Sequence, residues 1–342
     1  MSRWLARSLV AVLAVVALFA WLGAGALLEG GGAAGGLAEL ASTITTLFLS
    51  LFIEAAPFLL LGSLASGLME VFVDAAFIGR WLPRGRLRGV ATAALLGSFF
   101  PVGQAGAVPL TRRLLRQGLP LSAGVTFLLA APILNPVVIG STLAAFGTGP
   151  MVWLRLGAAF VVATLTGLAF GGVVRPELAL RPEARPRIAG GTGSQAHVSA
   201  PPHPAWRREM QRVLAITVDE FFEFGALLVA GALMAALLQM LVPQALLLAP
   251  GAGPLVSVAK LILLALLQSI GAASDAFSAW SLAGTFSAGA LVAFLVAGPM
   301  VDLQHSLLYA GVFRGRALAA LVALPLLLSL AVGIVINLLF NP

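Results

Sequence analysis

Uncharged apolar runs long enough to cross a bilayer recur along the whole chain. Ser8 to Leu28 and Ala317 to Phe340 each pass without one charged residue, and a spanning helix needs about 20 such residues. Only 10% of the 342 residues are charged and 60% are hydrophobic, against about 25% and 45–50% in a soluble domain. One water-facing globule cannot hide that much apolar surface. Lipid offers no hydrogen-bond partners, so a spanning chain must be helical or a closed barrel. A barrel reads as alternating apolar and polar residues, and no such alternation occurs. The expected class is an all-α polytopic membrane protein.

The formal net charge is +7. The cations lie between apolar segments, which points to loops on the cytoplasmic face rather than to nucleic acid. Cysteine is absent, so disulfides, thiolate metal sites and cysteine nucleophiles are excluded. The first segment could be read as a signal peptide, but the length of Ser8 to Leu28 suits a retained transmembrane helix better.

Positive charge orients the rest. Arg3 and Arg7 place the N-terminus inside, and the loop from Glu29 to Glu39 lacks Lys and Arg, as an outer loop should. Leu40 to Val73, interrupted only by Glu54 and Glu70, returns to Arg80, Arg84, Arg86 and Arg88. If Gly89 to Thr111 crossed the membrane, Arg112, Arg113 and Arg116 would land outside. The segment is too short for two crossings, and it holds Pro101, Gly103, Gly106 and Pro109. A re-entrant hairpin fits the length, the breakers and the charge together. Gln117 to Leu154 is broken by Pro120, Pro132, Pro136 and Pro150, and Leu156 to Val174 closes the first half. Val213 to Leu241 then goes out, Pro254 to Gly284 forms a hairpin entered from outside, Ser287 to Ala310 returns, and Ala317 to Phe340 goes out again. This scheme puts every Lys and Arg inside except Arg155 and Lys260, near outer ends.

The two halves repeat. Phe52 to Gly62 (FIEAAPFLLLG) aligns with Phe221 to Gly231 (FFEFGALLVAG), and Phe127 to Asn135 (FLLAAPILN) aligns with Phe294 to Asp302 (FLVAGPMVD). With three crossings per half, the second copy is inverted. The expected architecture is two inverted-topology repeats, each with a re-entrant helical hairpin and a proline-broken helix, plus an extra N-terminal transmembrane helix. The boundaries are 1–39 for the first helix and outer loop, 40–174 for repeat 1, 175–212 for a basic cytoplasmic linker of flexible composition, and 213–342 for repeat 2. Inverted repeats whose broken helices meet at mid-membrane are an architecture of secondary transporters.

Breaking a helix in lipid frees backbone groups that cost several kcal/mol each. Such breaks are tolerated where the freed groups line a cavity or hold a solute. The first hairpin turn offers Gly103, Gln104 and Gly106, and the second offers Ser269, Ser274 and Asp275. Free helix N-termini there would suit an anionic or polarised solute; a merely structural kink is the alternative. Asn135 and Asp302 occupy matching proline corners. Asp302 can act on solute or hold freed N–H groups, and His305 can relay protons or simply pack. Glu54 and Glu223 are equivalent in the repeat and lie inside spanning helices. An intramembrane carboxylate faces the bundle interior or a wet cavity, so these two and His305 are the proton-coupling candidates. Asp219 and Glu220 read as helix N-terminal charges, and Glu70 and Asp74 as interfacial ones. His197 and His203 in the linker could bind metal, but two histidines without cysteine or acidic company are weak evidence for it, and no metal site is expected.

Gly97 to Leu110 (GSFFPVGQAGAVPL), Phe127 to Val138 and Gly298 to Leu303 (GPMVDL) resemble the ArsP/YraQ-like predicted permeases of bacteria, over nearly everything from Leu40 to Phe340. The resemblance implies a transport protein; some members are linked to efflux of trivalent organoarsenicals and others to handling of metal ions. The family usually carries a Cys-x-Cys pair in the first hairpin, where this chain has Gly103-Gln104-Ala105-Gly106. Soft thiophilic solutes prefer thiolate, and only the thioethers of Met69, Met234, Met240 and Met300 are on hand. Thiol-based recognition therefore does not carry over.

A proton-coupled exporter of a small solute is the leading expectation. A permease or channel subunit working with a separate partner such as an ATPase is the alternative, since the chain has no Walker A motif of its own. No motif demands an intramembrane enzyme. Expected partners are the lipid bilayer, a small solute and protons, with a homodimer left open and with no nucleic acid or cofactor. The expected location is the inner (plasma) membrane, with the N-terminus and linker cytoplasmic and the C-terminus outside.

Overall fold

The computed structural model describes residues 33–73, 85–185, 205–242, 247–249 and 253–340. The segment read as a first helix, Asp74, Arg80, Arg84, His197, His203 and the rest of residues 186–204 of the linker lie outside them. Among the described residues the chain is all helical, with no strand beyond an isolated bridge between Leu180 and Phe313.

The elements run in the same order twice. In the first half, α1 (Ala33–Phe72) is followed by α2 (Arg86–Gly97), α3 (Gly103–Arg116), α4 (Leu121–Ala130), α5 (Pro136–Phe146) and α6 (Pro150–Val173). In the second, α7 (Ala205–Leu241) is followed by α8 (Pro254–Gln268), α9 (Ser274–Leu282), α10 (Ala288–Met300), α11 (Leu303–Tyr309) and α12 (Gly315–Phe340). Among the described residues, five stretches are long and apolar enough to span a membrane: Glu39–Phe72, Pro150–Gly172, Trp206–Leu241, Ala288–Tyr309 and Gly315–Phe340. The arms α2, α3, α8 and α9 have 12, 14, 15 and 9 residues. At 1.5 Å per residue none reaches across a hydrocarbon core about 30 Å thick.

Burial separates the helices by role. A helix that is apolar all round belongs inside; α10 is apolar on every face, and α4 carries only Ser122 and Thr126 as polar residues, with the Thr126 hydroxyl bonded to the carbonyls of Ser122 and Ala163. Every residue of α4 and all of Gly289 to Met300 are buried. These two helices form the centre. The long helices carry exposed apolar residues such as Ile53, Phe72, Leu214 and Leu338, the composition a lipid-facing surface requires. Around the centre, α4 packs on α2 and α6, while α10 packs on α8 and α12. α1 lies along α7 and α3, and α7 along α11.

Glycines set the closest approaches. A Cβ on Gly62 would sit 2.2 Å from the Gly106 backbone, and one on Gly231 would sit 2.4 Å from the Gln304 carbonyl oxygen. The repeat-related glycines thus each admit a helix of their own half, α3 against α1 and α11 against α7.

Some boundaries differ from the sequence reading. Residues 33–39, read as outer loop, belong to α1, and residues 205–212, read as linker, belong to α7. The start of the linker is packed rather than loose. Arg181 donates its N–H to the Val312 carbonyl at 2.9 Å, Arg314 donates to the Ala179 carbonyl at 3.0 Å, and Ala179, Leu180 and Ala184 are buried. Apolar residues among the prolines and arginines anchor this stretch against the α11–α12 corner.

A candidate solute site where four helix breaks converge

Each half contains two interruptions, and all four meet at one pocket. The break between α2 and α3 occupies residues 98–102, so Gly103 and Gln104 open α3. Gly103 adopts a left-handed φ of +61°, and a side chain there would meet the Phe58 ring at 2.9 Å. The second turn occupies residues 269–273 and begins with Ser269 at φ +49°. The proline corner before α5 and the corner before α11 complete the set. The pocket, a cavity of about 80 Å³, is lined by residues at all four breaks and by Leu51, Glu54, Ala55 and Phe58 of α1.

The matching corners are capped alike. The Asn135 side chain accepts the N–H of Val138 at 3.0 Å, and Asp302 accepts the N–H of His305 at 2.6 Å. An N-cap oxygen satisfies an orphan donor of the first turn, so both residues hold freed N–H groups. Asp302 does more, because its second oxygen lies 2.7 Å from His305 Nδ1. This contact fixes the orientation of the His305 ring at the pocket.

The halves are tied across the pocket. Glu54 Oε1 accepts the N–H of Gly271 at 2.9 Å. Gln104 Nε2 donates to the Gly298 carbonyl at 3.0 Å. Arg155 is fully buried and donates to Thr142 Oγ1 at 2.6 Å and to the Ala272 carbonyl at 2.9 Å. It thereby holds the second turn from behind.

Of the residues singled out in the sequence, Gly103, Gln104, Asn135, Ser269, Glu54 and His305 line the pocket. Asp302 stands behind His305. Asp275 is buried, with one oxygen lacking a partner. Ser274 is exposed, and Gly106 serves the contact with α1 instead of the cavity wall. Glu223 lies elsewhere. It pairs with Arg112 at 2.5 Å, in a cluster where Glu220 lies 2.7 Å from Arg113 and 3.3 Å from Arg112, and Glu70 lies 2.7 Å from Arg113. Glu220 is therefore no helix N-terminal charge. Sixteen positions into a helix that starts at Ala205, about four turns, it faces two buried guanidiniums. Glu54 and Glu223 are equivalent in sequence and not in setting, because α3 brings arginines to one and the second turn comes to the other.

Gln304, Phe58 and Arg155 carry no strong sequence signal. Gln304 spends its amide N–H on the Leu51 carbonyl at 3.2 Å. Arg155 is the cation that the charge-based topology leaves on the wrong side, and that misfit is the clue to its burial.

Helices long enough to span, short helix pairs that cannot, and a polar-edged pocket among their breaks define a multi-pass membrane protein of the transport class. The chain belongs to the ArsP_1 family of predicted permeases, whose model matches residues 40–338. It is 36% identical over 295 residues to the UPF0718 protein YcgR of Bacillus subtilis, covering 86% of this chain and 97% of the relative. It is 34% identical over 271 residues to a Streptococcus mutans protein named "Putative two-component membrane permease complex subunit", covering 79% and 87%. No solved structure matches it.

Proposed function

We propose that the chain is a secondary transporter that exports a small solute through the pocket at the four breaks, in exchange for protons. The carrying observation is that Glu54, an intramembrane carboxylate, reaches from one half to bond Gly271 in the broken segment of the other. A carboxylate there can bind solute or proton in turn, which is the elementary requirement of exchange. His305, poised by Asp302, is a second proton acceptor in the same pocket. Glu223 belongs to the proton path only if the Arg112 cluster opens during the cycle. In this reading the two halves are inverted repeats, the pairs α2–α3 and α8–α9 enter the inner membrane from opposite faces, and the N-terminus and linker are cytoplasmic. The short arms and the twice-repeated element order support it.

A second reading follows from the Streptococcus mutans relative, whose name describes one subunit of a two-component complex. The chain would then be the membrane-spanning component beside a separate partner. Purified protein in liposomes, given a pH gradient and no nucleotide, separates the two. Solute flux from the chain alone supports the exchanger. Flux that needs an added partner supports the subunit.

A further inference from the structure

We infer that the solute is a small organic cation with an apolar body, of the protonated-amine class; this rests on the pocket being the transport site proposed above. The inference comes from which polar atoms the pocket leaves free. Asn135 spends both amide N–H groups on backbone carbonyls, those of Ala131 and Pro132, while Gln104 and Gln304 each spend one of two, on Gly298 and on Leu51. A carbonyl only accepts, so these partners fix the amide orientation. Gln304 Oε1 is buried without a partner, as is the hydroxyl of Ser269, although both residues line the pocket. Glu54 has one oxygen on Gly271 and the other unengaged among the described residues.

Such a wall holds few donors for an anion, one spare N–H on each of Gln104 and Gln304 and the Ser269 hydroxyl, beside the carboxyl group of Glu54. The N-termini of α5 and α11 are already capped by Asn135 and Asp302, and the Gly271 N–H is taken by Glu54. The start of α3 has no side-chain cap, but a helix end carries only roughly half a charge, and the carboxyl group of Glu54 shares the pocket. Arg155 does not reverse the balance. Its guanidinium is engaged by Thr142 and Ala272, and Asp275 and Asp302 add two more carboxyls nearby. A bare metal ion fits poorly, because no group of three His, Asp or Glu that could hold one occurs among the described residues. Leu51, Phe58 and Val138 supply apolar wall, and an aromatic ring beside an ammonium adds attraction. Acceptors that lack donors are supplied with N–H groups by an ammonium, and the apolar wall meets its hydrocarbon part.

Calorimetric titration of the purified full chain in nanodiscs tests this with three probes of similar shape: phenethylammonium, 2-phenylethanol and 3-phenylpropanoate. The ammonium is expected to bind at least tenfold more tightly than the alcohol, and the carboxylate not to bind measurably. Glu54→Gln keeps Oε1 for the Gly271 N–H and is expected to erase the ammonium preference. Ser269→Ala, which deletes one unpartnered hydroxyl, is expected to lower ammonium affinity a few-fold and serves if the first variant does not fold. Binding of 3-phenylpropanoate as tight as that of phenethylammonium, no ammonium binding at millimolar concentration, or an unchanged preference in Glu54→Gln would overturn the inference. Nucleotide-free flux of another solute class would leave the transporter reading intact while removing the cation.

Discussion

Glu54 of α1 and Gly271 in the turn between α8 and α9 share a 2.9 Å hydrogen bond across 217 residues of sequence. The bond needs glycine. A Cβ at position 271 would lie 2.3 Å from Glu54 Oε1, so even alanine must displace the carboxylate. Gly271→Ala is expected to cut solute affinity by about tenfold or more with little loss of stability, because the atoms it meets are the free end of the Glu54 side chain. Titration of the best-bound probe, beside thermal melting in detergent, checks both.

The α1–α3 contact makes a sharper stability prediction. Gly62→Ala would drive a methyl group into the Gly106 backbone at 2.2 Å, whereas a methyl group on Gly140 would meet nothing within 4 Å. Backbone cannot step aside as a side-chain tip can. Gly62→Ala is expected to lower stability by about 3 kcal/mol or more, and Gly140→Ala to leave it equal or raise it by up to about 1 kcal/mol. Paired melting curves decide it.

Asp302 has two separable jobs. Asn is as good an N-cap as Asp, so Asp302→Asn is expected to keep the α11 start intact and melt close to the parent. It would present an N–H or a weaker acceptor to His305 Nδ1 and so release the ring orientation. Proton-driven flux is expected to fall about tenfold or more while melting stays put. Asp302→Ala, which also loses the cap, is expected to cost about 1–2 kcal/mol besides.

The buried cluster of Arg112, Arg113, Glu70, Glu220 and Glu223 binds α1, α3 and α7 together. Removing one partner of a buried pair leaves the other charge uncompensated, at about 3–5 kcal/mol. Arg113→Met removes the guanidinium that bridges Glu220 and Glu70, while Glu220 keeps Arg112 at 3.3 Å, and is expected to fall at or below the lower end of that range in detergent unfolding. Glu70→Gln is expected to cost less, because its side chain is 15% exposed and water can reach it.

The sequence makes the breaks legible and leaves their meeting partly hidden. Pro132, Pro136 and Pro299 mark corners that are visible in one dimension, and Gly62 and Gly231 announce close packing through the repeat. The equivalence of Asn135 and Asp302 is legible for the same reason: each caps the helix that follows it. Arg112 and Arg113 read as loop charge and are buried instead, because charge position orients a membrane chain but says nothing of a carboxylate on a distant helix. Arg155 and Gln304 are not legible as site residues at all. Their roles depend on which backbone carbonyl lies in front of them, and that is a property of the packed bundle.

The central claim is that the two halves lie in the membrane in opposite senses, so that their breaks meet in one pocket. The chain has no cysteine, and Leu87 and Gly284 are both exposed at the ends of their helix pairs, so single cysteines can be placed at either. An impermeant maleimide added outside intact cells is predicted to label Gly284→Cys and to spare Leu87→Cys until the membrane is opened. Labelling of both from the same side would contradict the account.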